Sequence, residues 1–178
     1  MRIDWSLRDY VFAAFMTIGM VVSVFVVGPL VPPFLDLVAW APLGGIFLTL
    51  GMARLQRRGT ILLMILPLAV LLLPLSPAIT LYLALTALLA EAVVFLRGNY
   101  RVKRNRLLGN VTFFVSAVVI GLTSAALMLG GEFAELLTRP WLIGVLAIAA
   151  GITGSIGWWL GESVVRQLKR AGKLDADL

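Results

Sequence analysis

An acidic residue inside an apolar segment is the feature of this chain whose residue type and position could do chemistry. Glu91 is the strongest case, because an ionisable side chain at membrane depth is costly and marks a functional site by default. It belongs to a stripe of small and polar residues, spaced by four, three and four positions, that consists of Thr80, Ala84, Ala87 and Glu91. Residues at this spacing share one face of a helix. We therefore expect the stripe to point into a helix bundle.

Two interpretations of Glu91 stay open from the sequence. In the functional one, its carboxylate belongs to a ligand or coupling site. In the structural one, it pairs with an arginine of the adjoining basic stretch or accepts hydrogen bonds from amides at a helix end. Arg97 marks the boundary of this apolar segment, and Glu91 lies about 9 Å inside it at about 1.5 Å per residue.

Two further carboxylates lie near the ends of apolar segments. Glu162 precedes Arg166 by four residues, a spacing that supports an ion pair within one helix. Asp36 opens another segment, where an acid complements the dipole of a helix N-terminus. A second interpretation of Asp36 is that it faces an outward pocket.

The chemistry that the sequence excludes is broad. The sequence contains no cysteine and no histidine. The absence of cysteine rules out disulfides, thiolate metal sites and cysteine nucleophiles, and the absence of histidine removes the commonest general base. The sequence also has no paired-acid metal motif, no G-x-S-x-G and no phosphate-binding glycine loop. We therefore predict that the protein is not an enzyme and holds no cofactor or metal. One buried acid is too few for a proton pump.

The elements that must position these residues are apolar helices. The chain is 61% hydrophobic and 13% charged, with a mean hydropathy of +1.01, whereas soluble domains are about 45–50% apolar and about 25% charged. A helix needs about 20 apolar residues to cross a membrane. The sequence predicts an all-α fold, a six-transmembrane-helix bundle in a single integral membrane domain over residues 1–178. The predicted spans are 10–30, 37–55, 60–75, 78–96, 107–129 and 141–165. The third is short and contains Pro67, so five spans plus a re-entrant segment stays an alternative.

The positive charges alternate with these spans and predict the topology. Of the 15 lysines and arginines, all but Arg139 fall on one side, and short basic loops stay cytoplasmic. We therefore predict cytoplasmic N- and C-termini. The stretch 97–106 is interpreted as a topology-setting loop that also attracts anionic lipid headgroups. A nucleic-acid partner is not expected, because Tyr100 alone supplies no stacking platform.

Small and aromatic residues predict packing rather than chemistry. The last span reads "GVLAIAAGITGSIGWWLG" over 144–161, and its small residues recur at four-residue spacing, which lets helix backbones approach closely. Internal packing is the main interpretation, and a docking surface for a membrane partner is the alternative. Trp40 and Trp141 fit an aromatic belt at the membrane boundary.

Four stretches resemble one known family. They are "RDYVFAAFMTIG", "VVGPLVPP", "LAEAVVFLRGNYRVKRNRLLGNVTFF" and "GITGSIGWWLGESVVRQLKRAGKLD". Together they resemble the S components of energy-coupling factor (ECF) transporters, and more narrowly the MptD or Trep_Strep group. The likeness is spread over most of the chain.

The resemblance implies a subunit of a bacterial or archaeal cell membrane that captures a vitamin-like or other micronutrient molecule from outside. Its partners would be a transmembrane coupling subunit and two cytoplasmic ATPases. Docking in the family uses small residues of the first helix, commonly Ala-x-x-x-Ala. The nearest matches here are Ala13 with Thr17, and Ala14 with Ile18.

The resemblance also implies a binding pocket in the outer half of the bundle. The candidate substrate-binding residues are Asp36, Trp40, Thr80, Tyr82, Thr123, Ser124 and Trp141, with Glu91 as a further candidate. We expect a small or fairly apolar solute rather than a metal ion, which would need several oxygen, nitrogen or sulfur ligands. Two alternatives stay open: a non-catalytic structural or assembly membrane protein, and a small membrane enzyme of lipid metabolism. The enzyme would need clustered acids or a nucleophile, which the sequence lacks.

Overall fold

The computed structural model describes residues 5–32 and 34–172. Within these ranges the chain forms helices, and a short 3₁₀ turn, Gly28–Leu30, follows the first of them. The helices are α1 (Leu7–Val27), α2 (Asp36–Leu55), α3 (Thr60–Leu72), α4 (Pro77–Arg97), α5 (Lys103–Met128), α6 (Glu132–Leu137) and α7 (Pro140–Arg170). Arg2 and Lys173, two of the basic residues predicted to lie on the cytoplasmic side, lie outside the described residues. The all-α fold class is confirmed for the described part of the chain.

Helix length supports a multi-pass membrane architecture. α1, α2, α4, α5 and α7 are each long and apolar enough to cross a membrane. α3 has 13 residues, a length of about 20 Å, which is shorter than a hydrocarbon core of about 30 Å. The count of six full spans therefore stays a prediction.

Contacts between neighbours give the directions of the helices. The Thr80 hydroxyl of α4 donates to the Ala69 carbonyl late in α3 at 2.8 Å. Further along α4, Glu91 accepts a hydrogen bond from the Ile61 N–H at the start of α3, so α3 and α4 are antiparallel. The pairs α1 and α2, α2 and α5, and α5 and α7 are likewise antiparallel, whereas α2 and α7 run parallel. Consequently α1, α3 and α5 point one way, and α2, α4 and α7 point the other.

This alternation separates the charges into two ends. Among the described residues, every lysine and arginine except Arg139 lies at one end, which we call the basic end. These residues are Arg8, Arg54, Arg57, Arg58, Arg97, Arg101, Lys103, Arg104, Arg106, Arg166, Lys169 and Arg170. The other end, which we call the opposite end, carries Asp36, Glu132, Glu135 and Arg139.

Glycines bring α2 and α7 into backbone contact at the centre of the bundle. A Cβ atom on Gly157 would lie 2.7 Å from the Pro42 carbonyl oxygen, and one on Gly45 would lie 3.0 Å from the Gly157 Cα. A Cβ on Gly161 would lie 2.7 Å from the Thr49 Cβ. The small residues at these α7 positions therefore serve internal packing, as the sequence predicted, and are not a docking surface.

Candidate functional site

Two adjoining cavities lie at the opposite end of the bundle. The first, of about 110 Å³, lies among α1, α2, α3 and α4, and the second, of about 170 Å³, lies among α2, α4, α5 and α6. Both are lined by Asp36, Leu37, Ile79 and Tyr82. We call them the paired cavities, because the same four residues form part of both walls.

The walls of the paired cavities are mainly apolar. Val24, Leu68, Leu72 and Leu83 line the first cavity, and Leu122, Leu129 and Phe133 line the second. Asp36 and Tyr82 are the polar residues that line both cavities. An apolar pocket with a few polar groups is the usual form of a small-molecule site.

Trp40 forms a fixed wall of the first cavity. Its indole N–H donates to the Ser23 hydroxyl at 2.8 Å, and that hydroxyl donates to the Met20 carbonyl at 2.8 Å. Its ring packs edge-to-face on Phe114, with 5.5 Å between the ring centroids. Trp40 is buried, with 4% of its surface exposed, so its interpretation as an aromatic-belt residue is wrong.

Asp36 lies at a helix N-terminus and also lines a pocket, which are the two positions considered for it from the sequence. It begins α2, and its Oδ1 accepts a hydrogen bond from the Leu37 N–H at 2.6 Å. It also lines the paired cavities. Among the described residues, no lysine or arginine forms an ion pair with it. Asp36 thus lies at the junction of two apolar cavities and has no counter-ion among the described residues.

The structure brings together Asp36, Trp40 and Tyr82, and places the other candidates elsewhere. Thr80 joins α4 to α3 through Ala69, and Thr123 donates to the Val119 carbonyl of its own helix at 2.7 Å. Ser124 is buried but lines neither of the paired cavities. Trp141 is 65% exposed at the start of α7, which agrees with an aromatic-belt residue.

Glu91 lies at the basic end and holds two elements together. One carboxylate oxygen accepts a hydrogen bond from the Gly59 N–H, and the other accepts from the Ile61 N–H at 3.1 Å and the Tyr100 hydroxyl at 2.8 Å. The structural interpretation of Glu91, a carboxylate bound to helix-end amides, is therefore confirmed. Its predicted role in substrate binding has no support from its position, because it lies away from the paired cavities.

Tyr100 is the side chain that donates a hydrogen bond to the Glu91 carboxylate. It lies in the connection between α4 and α5 and is fully buried. Burial raises the pKa of its phenol, and the negative charge of Glu91 raises that pKa further. The phenol therefore keeps the proton that it donates.

The predicted ion pair of Glu162 with Arg166 is wrong. Glu162 forms a buried ion pair with Arg106 of α5, with 2.6 Å between Oε1 and Nε. Arg106 also donates to the Tyr100 carbonyl at 2.6 Å. Arg166 instead donates to the Ser163 hydroxyl at 2.9 Å. Burial explains the difference, because Arg106 is buried next to the Glu162 carboxylate and can neutralise it inside the bundle, whereas Arg166 is exposed.

The predicted docking residues divide between the interior and the surface. Ala13 and Thr17 are buried, with 2% and 3% of their surfaces exposed. The Thr17 hydroxyl lies 2.9 Å from the Met64 carbonyl of α3, so these two residues face the bundle. Ala14 is exposed, beside the exposed side chains of Phe15 and Ile18.

Comparison with known proteins supports the fold. No family model matches the chain, and no curated protein matches it. A solved structure described as "Crystal structure of an S-component of ECF transporter" is similar, with a TM-score of 0.61 and 19% sequence identity. The alignment covers 97% of this chain and 89% of that chain. The expected S-component-like fold is thus confirmed, and the narrower likeness to the MptD or Trep_Strep group stays a prediction.

Proposed function

We propose that this protein is the substrate-binding S component of an ECF-type importer. It captures a vitamin-like or other micronutrient molecule in the paired cavities and delivers it inward with a coupling subunit and two cytoplasmic ATPases. The observation that carries this proposal is the similarity of fold, over 97% of the chain, to a protein described as an S component.

The positions of charge and cavity support an importer. The paired cavities lie at the opposite end, away from the basic end. If the basic end is cytoplasmic, as the positive-inside rule predicts, the cavities lie on the external side of the membrane and both termini lie inside. A solute from the medium then reaches the site without crossing the bundle.

The exposed face of α1 supports docking to a membrane partner. Only a narrow stripe of α1 is buried, and it consists of Ala13, Thr17, Met20 and Ser23. The exposed face carries Ala14 next to Phe15 and Ile18. In our proposal these three residues contact the coupling subunit, whereas Ala13 and Thr17 hold α1 against the bundle.

Assembly tests the proposed function. We expect the full-length tagged chain, co-expressed with an ECF coupling subunit and its two ATPases, to co-purify with all three in lipid nanodiscs. A protein of the same size and helix content from an unrelated family is the control for non-specific capture. Absence of the complex would contradict the proposal and favour a structural or assembly membrane protein.

A further inference from the structure

We propose that the solute of the paired cavities carries a positive charge, as an ammonium or similar group on a small apolar body, and that Asp36 is its counter-ion. This inference rests on the proposed function, because it names the class of solute that the same site takes. It is drawn from the charges and surfaces around Asp36.

The first step is the missing counter-ion. The Asp36 carboxylate lines both cavities, and its hydrogen bond within the described residues comes from the N–H of the next residue. Arg139, the described cation of the opposite end, lines a different depression together with Glu132 and Glu135. Asp36 is half-buried, and burial of a charged carboxylate is costly unless it is paired. A cationic solute would supply the pair.

The second step is the nature of the surrounding surface. Phe25, Trp40 and Tyr82 line the first cavity together with Asp36. Aromatic rings attract cations electrostatically as well as packing against apolar groups. A cation on an apolar body therefore suits both the acid and the walls.

The third step is the net negative charge of the described residues at the opposite end. Glu132 and Glu135 lie on α6, which borders the second cavity through Phe133. The described residues of the opposite end therefore carry three acids, which are Asp36 and these two glutamates, and one base, Arg139. An anionic solute would be repelled on approach, whereas a cationic one would be attracted.

Three probes of one shape test the inference. They are 2-phenylethylamine, a cation at neutral pH, 2-phenylethanol, which is neutral, and 3-phenylpropanoate, an anion. Loss of one partner of a desolvated charge pair costs a factor of roughly thirty or more in affinity. We expect the full-length protein in nanodiscs to bind the amine at least roughly thirtyfold more tightly than the alcohol, and the carboxylate least tightly. Equal binding of amine and alcohol, preference for the carboxylate, or no binding of the amine would overturn the inference.

Matched variants separate binding from a purely structural role. Asp36→Asn should remove the preference for the amine and leave the affinity for the alcohol unchanged. Glu132→Gln removes a negative charge from the same end, outside the paired cavities, and should preserve the preference. If Asp36 serves only the N-terminus of α2, Asp36→Asn will lower the melting temperature without changing the preference, and the inference fails. If that variant does not fold, the comparison of the three probes on the unaltered protein still decides.

Failure of this inference can be told apart from failure of the proposed function. Assembly with the coupling subunit and the ATPases does not depend on the charge of the solute. Assembly without charge preference overturns the cationic solute alone, and absence of assembly overturns the importer.

Discussion

The ion pair between Arg106 and Glu162 joins α5 to α7 in the interior of the bundle. Both side chains are almost fully buried, and the second Glu162 oxygen has no hydrogen-bond partner among the described residues. Breaking a buried ion pair by removing one member typically costs about 3–5 kcal/mol, whereas replacing both members with apolar groups is often neutral. This contact therefore contributes to the stability of the fold mainly because each buried charge neutralises the other.

A double-mutant comparison tests this dependence. Arg106→Leu should lower the free energy of unfolding by roughly 3–5 kcal/mol, because Glu162 is left buried and uncompensated. The double variant Arg106→Leu with Glu162→Leu should recover most of that loss. Unfolding in detergent, followed by tryptophan fluorescence, gives both values. A double variant no more stable than Arg106→Leu would contradict the explanation.

At the residue scale, the sequence predicted which side chains face inward better than it predicted their partners. The spacing of Thr80 and Glu91 correctly placed both on the inner face of α4. Of the partners of Glu91, the N–H groups at the start of α3 were expected as helix-end amides, whereas the Tyr100 hydroxyl was not. Tyr100 lies in the connection between α4 and α5, and only the folded bundle brings it to Glu91. The local i, i+4 rule failed for Glu162 for the same reason.

At the element scale, the contact between α2 and α7 depends on residues without side chains. Gly157 lies against the carbonyl oxygens of Pro42 and Ala41, so a methyl group there would meet backbone that cannot rotate away. A Cβ atom on Gly144 of the same helix would meet no described atom within 4 Å outside the adjacent backbone of α7. The two glycines therefore form a matched pair.

Substitution of this pair tests the contact. Gly157→Ala should destabilise the protein by about 1–3 kcal/mol, the usual cost of overpacking a core. Gly144→Ala should be neutral or stabilising by up to about 1 kcal/mol, because alanine favours helix. Thermal unfolding in the same detergent provides the comparison. Equal melting temperatures for the two variants would show that the helices do not touch at Gly157.

The long helices could be predicted from the sequence, whereas the shortest one could not. The long apolar runs of α1, α2, α4, α5 and α7 lie close to the predicted spans. α6 was not predicted, because its six residues, Glu132–Leu137, are too few to show a periodic pattern. The small-residue spacing in α7 predicted close packing, but nothing in the sequence identified α2 as the helix that packs there.

At the scale of the whole molecule, the exposed face of α1 is where a membrane partner is proposed to dock. Ala14→Trp adds a large side chain to that face without entering the bundle. We expect this variant to bind solute normally but to lose most of its association with the coupling subunit, because the helices could no longer approach closely. Co-purification from nanodiscs measures the association.

Ile152→Trp provides the matched control for this variant. Ile152 is 59% exposed on α7, away from α1, so an equally large side chain there should leave the association intact. Equal association of Ala14→Trp and the unaltered protein would remove α1 from the proposed docking surface. Equal loss in both variants would indicate a general effect of surface bulk.

The location of the candidate site, the paired cavities, was predictable only in part at this scale. The alternation of charge predicted the two ends, and Asp36, Trp40 and Tyr82 were among the residues assigned to the outer half. Depth alone could not exclude Thr80, whose hydroxyl turns toward α3, or Trp141, which turns outward. Rotation of each helix about its axis is fixed by packing, and packing depends on all neighbours at once.

If the proposed site binds a solute, the glycine contact between α2 and α7 also bears on how tightly that solute is held. Asp36 and Trp40 both belong to α2, which this contact locks to the centre of the bundle. Their positions are therefore set when the chain folds, before any solute arrives. Association with a preorganised wall loses less conformational entropy than association with a wall that must first be ordered. In the proposed function, this preorganisation would let the protein retain even a small molecule, with few atoms to contribute, from a low external concentration.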